Sequence, residues 1–280
     1  MKLSADHIFH IGSQHLRSGM PCQDYAVSGP IGDGAYAVVS DGCSSGGKTE
    51  VGSKIVALAA GEVLREDFGA NLCTLSARTW EKMRAVSRPL GLTQNDMLAT
   101  LVVAQFQRGE ARVLFVGDGV AAFVYMDGSM TLFRLEWANN TPQYLAYESD
   151  GFRQFIHAHG GRFEAPATTM TRVECAAGGI DRNVSERVYS LNASLKGHAA
   201  WPIHHKQLAY VAAFSDGVTQ IKGADWVTAA RELLFFKSTA GAFAKRRMNA
   251  FLRDEARAGN IPLDDIAYAV IHIEPDEGAP

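Results

Sequence analysis

Three aspartates, Asp41, Asp118 and Asp216, share one local setting: each ends an apolar, β-branched run and stands directly before a glycine. Runs of that kind read as buried strands that close in turns. The pair Asp264-Asp265 stands at the entry to a further run, 266–273. Strand ends can converge in space, and carboxylates gathered there repel one another unless cations neutralise them. Oxygen donors of this hardness suit Mg²⁺ or Mn²⁺, and the glycine after Asp41 lets a backbone carbonyl approach a metal as well. A single Asp-Gly pair, such as Asp127-Gly128 or Asp150-Gly151, is an ordinary turn former. Recurrence at several strand ends is what points to a metal centre.

The elements that must position these acids follow from periodicity. Strand-like runs cover 35–42, 111–119, 121–133 and 208–217. Asp33-Gly34 and Asp127-Gly128 each lie between two runs, where a two-residue turn with positive φ folds a hairpin, so antiparallel sheet is expected. Helical spacing covers 50–67, 72–86, 226–236 and 240–258. Strands, a helical pair, strands, a second helical pair and a last strand predict an α+β fold with helices packed outside antiparallel sheets. Residues 134–206, rich in Gly, His, Asn and Arg with weak periodicity, read as an insertion or lid-like region within a single domain spanning 1–280.

Composition removes several function classes. With 47% hydrophobic and 20% charged residues among 280, the chain has the balance of a globular protein. Twenty-seven basic residues against thirty acidic ones leave a formal charge of −3, so no whole-chain positive field holds nucleic acid. The opening MKLSADHIFHIG lacks an apolar stretch of signal-peptide length, and no run approaches the roughly 18 apolar residues of a membrane span. A cytoplasmic protein without a membrane partner is expected. Cys22, Cys43, Cys73 and Cys175 form no CxxC pair, which fits reduced thiols.

Six segments carry a family resemblance, in order along the chain: CQDYA (22–26), YAVVSDGCSSGGKTEVGS (36–53), ATLVVAQF (99–106), VLFVGDGVAAF (113–123), AAFSDGV (212–218) and LDDIAYAVI (263–271). They resemble the Glu-Asp, Asp-Gly, strand, Gly-Asp, Ser-Asp-Gly and closing Asp-Asn/Asp-Asp motifs of the PPM, or type 2C, metal-dependent protein serine/threonine phosphatases. The resemblance implies a four-layer αββα sandwich of two antiparallel sheets flanked by helices. It also implies hydrolysis of phosphoserine and phosphothreonine in proteins, opposing a serine/threonine kinase. Asp41 and the carbonyl of Gly42 then bridge two Mn²⁺ or Mg²⁺ ions, Asp216 and Asp264 complete one of them, and Asp24 holds metal-bound water. Asp118 resembles the ligand of a third, weaker ion. Two cations about 4 Å apart lower the pKa of a bridging water and neutralise the phosphoryl oxygens, so attack on phosphorus is direct.

Two positions depart from the family pattern. Gln23 stands where the family commonly has Glu, and Gly19 where many members have the Arg that clamps phosphate. His15 and Arg17 lie just upstream and are the candidates for phosphate capture, Arg17 offering the planar fork. Cys22 and Cys43 flank the expected site, but no CxxxxxR loop accompanies them and they are read as packing residues. Ser44 to Thr49 ends in Gly-Lys-Thr before a helix; this superficial likeness to a phosphate loop is set aside as a nucleotide site. His157, His159 and the pair His204-His205 have spacing that could hold zinc if a carboxylate joined them, against the simpler reading as surface histidines. Trp137 and Trp201, with Tyr144, Tyr147 and Phe152, are expected to anchor 134–206 as a cover. Two rival functions remain on sequence alone: a weakly active phosphoprotein-binding or sensory module, and a two-metal phosphatase of small phosphorylated metabolites.

Overall fold

The apolar runs pair as antiparallel hairpins and build two sheets. In the computed structural model the described residues are 1–147, 149–179, 181–202 and 207–275. The chain runs β1 (Lys2–His10), α1 (Ser13–Ser18), β2 (Asp24–Ile31), β3 (Gly34–Asp41), α2 (Thr49–Glu66), α3 (Leu72–Ser87), β4 (Leu101–Gln107), β5 (Glu110–Val116), β6 (Gly119–Tyr125) and β7 (Met130–Trp137). It continues through α4 (Ser149–Ala158), β8 (Pro166–Cys175), β9 (Arg182–Ser190), α5 (Leu191–Ser194), β10 (His198–Ala200), β11 (Leu208–Phe214), β12 (Ile221–Lys222), α6 (Trp226–Leu233), α7 (Phe243–Ala258), β13 (Ile261–Pro262) and β14 (Ile266–Glu274).

One sheet has the order β1-β14-β11-β6-β7-β8-β9 and the other β10-β5-β4-β3-β2. Their facing sides share one core, where Val39, Val102 and Phe115 meet Phe123, Val211 and Ile271. On the outer face of the five-stranded sheet, Val56, Val63 and Leu75 of α2 and α3 pack on Val38 and Val103. On the outer face of the seven-stranded sheet, Leu233, Met248 and Phe251 of α6 and α7 cover Phe214 and Tyr268. The fold is the expected α+β, αββα sandwich. Helices α3 and α6 start on side-chain caps: Asn71 accepts from Thr74 N at 2.9 Å and Asp225 from Thr228 N at 3.0 Å. No described helix is long and apolar enough to cross a membrane.

Local details shift. The β2–β3 turn is Gly32-Asp33, not Asp33-Gly34, because Ile31 pairs with Gly34. Gly34 starts β3 instead, where a Cβ would stand 2.8 Å from the Phe106 carbonyl oxygen of β4. Helix α7 begins at Phe243 rather than Ala240, since Gly241 holds φ at +59°. Helix α6 stops at Leu233; Phe236 leaves the helix to pack edge-on against Phe243 at 5.0 Å.

The described residues of 134–206 supply edge strands to both sheets. They complete β7, add β8 and β9 to the edge of one sheet and β10 to the edge of the other, and carry α4 and α5. Strand β9 is exposed on both faces over Arg182–Val188, so it has no apolar alternation to detect. Trp137 is buried and its indole N–H donates to the Gly117 carbonyl at 3.0 Å. Trp201 is 58% exposed and belongs to none of the apolar clusters of the described residues.

Candidate functional site

The strand-end aspartates meet at one end of the sandwich, where both sheets open. Asp24 begins β2 and is the register partner of Asp41 at the end of β3. Asp118 lies in the β5–β6 turn, Asp216 directly after β11, and Asp264 just before β14. The Asp41 carboxyl lies beside those of Asp24 and Asp216 and feels the charge of both. Asp118 feels the charge of Asp216, and Asp216 that of Asp264. All five acids thus form one electrostatic cluster, four of them half-buried and Asp24 buried.

Backbone contacts hold the cluster in place. Thr100 N donates to Asp41 O at 2.8 Å and Gly42 N to Gln23 O at 3.1 Å. A Cβ at Gly42 would stand 2.7 Å from Thr49 O and 2.9 Å from Gln23 O, so only glycine fits between these chains. Ser215 Oγ donates to Asp24 Oδ2 at 2.6 Å. Gln220 Nε2 lies between Asp216 Oδ2, at 2.9 Å, and Asp264 Oδ2, at 3.2 Å. Gln23 itself is buried, with Nε2 donating to Thr49 Oγ1 at 2.8 Å and Oε1 left without a partner.

Such crowding favours protonation. Burial, then the neighbouring acids, pushes Asp41 well above the usual carboxylate range. Burial does the same for Asp24, raises Asp216, and lifts Asp118 to about 8 with Asp216 adding to the effect. Arg134 on β7 opposes the rise at Asp118 and Asp216; it is also paired with Glu136 at 2.6 Å. A set of oxygen donors held this close in protonated form fits divalent cations, which would neutralise it.

A pH dependence follows. Each raised group binds its proton more tightly folded than unfolded, so its contribution is full below the ordinary value near ~4 and is lost as pH rises through the folded value. For Asp118 that window closes near about 8. Metal-free protein is expected to lose stability across this range relative to Asp118→Asn, and added Mn²⁺ to reverse the loss. Melting temperatures of the two proteins with the same pH slope would contradict the crowding.

The other expected site residues are placed as follows. His15 is buried on α1 with Nδ1 2.8 Å from Asp265 Oδ2, whereas Arg17 is exposed on the same helix. Asp265 was not singled out as a site residue; it is 2% exposed and also accepts from Gly12 N at 2.7 Å and Gln23 N at 2.6 Å. Its only sequence signal was the doubled aspartate. Burial and the charges of Asp24 and Asp265 push the Cys22 thiol upward, which keeps it protonated and unsuited to nucleophilic attack. Tyr144, buried, is hydrogen-bonded to the Cys43 side chain and lies within the field of Asp118 and Asp41. His157 is exposed, while His159 is buried with Nε2 2.9 Å from Thr141 O, so the two do not converge on one ion. His204 and His205 lie outside the described residues.

Counted from Gly42, residues 42–49 do satisfy the phosphate-loop spacing GxxxxGKT, so it is the structure that dismisses a nucleotide cradle here. The N–H groups of Gly42, Cys43, Gly46 and Gly47 donate to the carbonyls of Gln23, Leu98, Cys43 and Asn95, and Lys48 N donates to Asp96. Such groups are not free to bind phosphate.

A family model described as Protein phosphatase 2C matches residues 11–255. The chain belongs to that family. Among solved structures, the phosphatase 2C fold matches serine/threonine phosphatase Stp1 from Staphylococcus aureus at 13% identity and TM-score 0.53, over 98% of this chain and 96% of that one. It matches the Mycobacterium tuberculosis serine/threonine phosphatase PstP/Ppp at 16% identity and TM-score 0.50, over 98% and 99%. A bacterial serine phosphatase matches at 13% identity and TM-score 0.53, over 99% and 100%. At these identities the likeness is one of fold. No curated protein matches by sequence.

Proposed function

We propose that this phosphatase 2C family member hydrolyses phosphoserine and phosphothreonine in proteins, with two divalent cations, Mn²⁺ or Mg²⁺, at the aspartate cluster. The observation that carries the reading is Asp41, register partner of Asp24 in its own sheet, whose carboxyl is pushed toward protonation by burial and then by the charges of Asp24, Asp216 and Asp118. Asp41, the Gly42 carbonyl, Asp216 and Asp264 would hold the pair, with Asp118 beside a third ion. When bound, the cations supply charge neutralisation and water activation. The chain's own part is positional: Ser215 aims Asp24, and Gln220 keeps the Asp216 and Asp264 carboxylates facing one another. With Cys22 protonated, attack by water on phosphorus needs no thiol.

The deciding experiment is Mn²⁺-dependent phosphate release from phosphoserine and phosphothreonine peptides, with phosphotyrosine and small phosphorylated metabolites as controls. Preference for the metabolites would favour the small-molecule rival, and tight peptide binding without turnover the sensory one.

Capture of the substrate phosphate is assigned to Arg17, because the His15 ring is buried and engaged by Asp265 at 2.8 Å. Arg17→Ala is expected to lower kcat/KM about tenfold, roughly 1.4 kcal/mol, with Mn²⁺ affinity unchanged. An unaltered kcat/KM would remove Arg17 from the site.

We also read the chain as one catalytic domain in which the segment around α4 covers the cluster. Support comes from its aromatic cluster, where Trp137 and His159 flank Phe155 at 5.5 and 4.8 Å and Tyr144 reaches Cys43. Replacing α4 by a short Gly-Ser linker, with β8 to β10 kept, is expected to change peptide selectivity more than hydrolysis of an aryl phosphate. Equal losses on both would count against a cover.

A further inference from the structure

The histidine on α1 has a more specific task than charge. Helix α1 is fastened to the segment before β14, with Gln14 N donating to Leu263 O at 3.0 Å and Gly12 N to Asp265 Oδ1 at 2.7 Å. Asp265 Oδ2 accepts from Gln23 N at 2.6 Å and faces His15 Nδ1 at 2.8 Å. A carboxylate already receiving two backbone N–H groups is fixed as an acceptor. The proton of a neutral His15 ring therefore sits on Nδ1, and Nε2 keeps its lone pair. One ligand atom each from His15, Asp264 and Asp265 lies within 4.8 Å of the others.

We propose that His15 is a nitrogen ligand of the cation held by Asp264, with Asp265 as the carboxylate that orients the ring. This rests on the metal reading of Asp264 given above. A carboxylate behind a metal-binding imidazole sets its tautomer and orientation and raises its basicity. The other expected donors, Asp41, Gly42, Asp216 and Asp264, all offer oxygen. Mg²⁺ keeps oxygen ligands and water, whereas first-row transition ions accept imidazole. A single nitrogen at this position therefore makes the centre prefer Mn²⁺ to Mg²⁺, and Asp265, where the family pattern admits Asn, becomes the residue that enforces the preference.

The test uses the full chain loaded with Mn²⁺, read by electron spin echo modulation with and without ¹⁵N-histidine. A coupling that changes with the label and vanishes in His15→Asn is expected; the asparagine amide nitrogen takes the place of Nδ1 and can still donate to Asp265, so the lock on α1 survives. Titration calorimetry of the same variant is expected to show one Mn²⁺ site weakened about tenfold or more, with Mg²⁺ affinity changed less. A chain that binds no Mn²⁺ overturns the metal reading together with this proposal. Bound Mn²⁺ without histidine coupling, or with coupling that persists in His15→Asn, overturns the proposal alone.

Discussion

Asp41→Asn is expected to lower metal-dependent phosphate release by roughly three orders of magnitude, about 4 kcal/mol of transition-state stabilisation. The Asp41 carboxyl is the hub of the cluster, within the field of Asp24 from its own sheet and of Asp216 and Asp118. An amide of the same shape keeps the packing but has one anionic oxygen fewer, and it presents an N–H₂ where a cation would be held. The same change should leave the metal-free fold as stable or more stable, because a carboxyl crowded by burial and like charge is removed. Loss of activity with retained or raised melting temperature separates a site residue from a scaffold residue. Undiminished turnover, in this variant or in excess chelator, would refute a metal-dependent reaction.

Gly217→Ala should act in the opposite sense, through the scaffold. A Cβ at Gly217 would stand 1.7 Å from the carbonyl oxygen of Asp265 and 2.8 Å from its carbonyl carbon. Both are backbone atoms, so the turn carrying Asp216 and the segment carrying Asp264 must separate. Overpacking of a tight core contact costs roughly 1–3 kcal/mol, and a clash with backbone belongs at or beyond the upper end. The expected result is a lowered urea midpoint together with weakened Mn²⁺ binding, since one displacement parts two carboxylates. Gly19→Ala is the comparison: no atom lies within 4 Å of its Cβ, and the cost is that of a left-handed φ of +69°, about 1–2 kcal/mol. Equal midpoints for the two variants would mean that the 3₁₀ turn at 216–219 yields easily and does not position the site.

Much of the architecture could be read locally. Strand runs ending in Asp-Gly and helices of regular apolar spacing carry their signal within a few residues, because side-chain period and turn chemistry are short-range properties. That is why the acids Asp41, Asp118, Asp216 and Asp264 stood out at strand ends and why the antiparallel character was recoverable. Where local pattern is silent, reading failed. Strand β9 is exposed on both faces and has no alternation, so 134–206 looked like an insertion. The β2–β3 turn moved by one residue because Gly34 is needed for the approach of β4.

The partnerships within the site belong to packing. His15 meets Asp265 across 250 residues and Ser215 meets Asp24 across 191; nothing in either segment's composition names its partner. The GxxxxGKT spacing of 42–49 is a true pattern match, yet its N–H groups are spent on carbonyls of Gln23, Asn95, Leu98 and the loop's own Cys43, and on the Asp96 carboxylate. Residue types and their order along the chain follow from sequence and announce which chemistry is possible. Which donor faces which acceptor is set by how two sheets close on one another, because a buried polar group must take whatever partner that closure brings within reach.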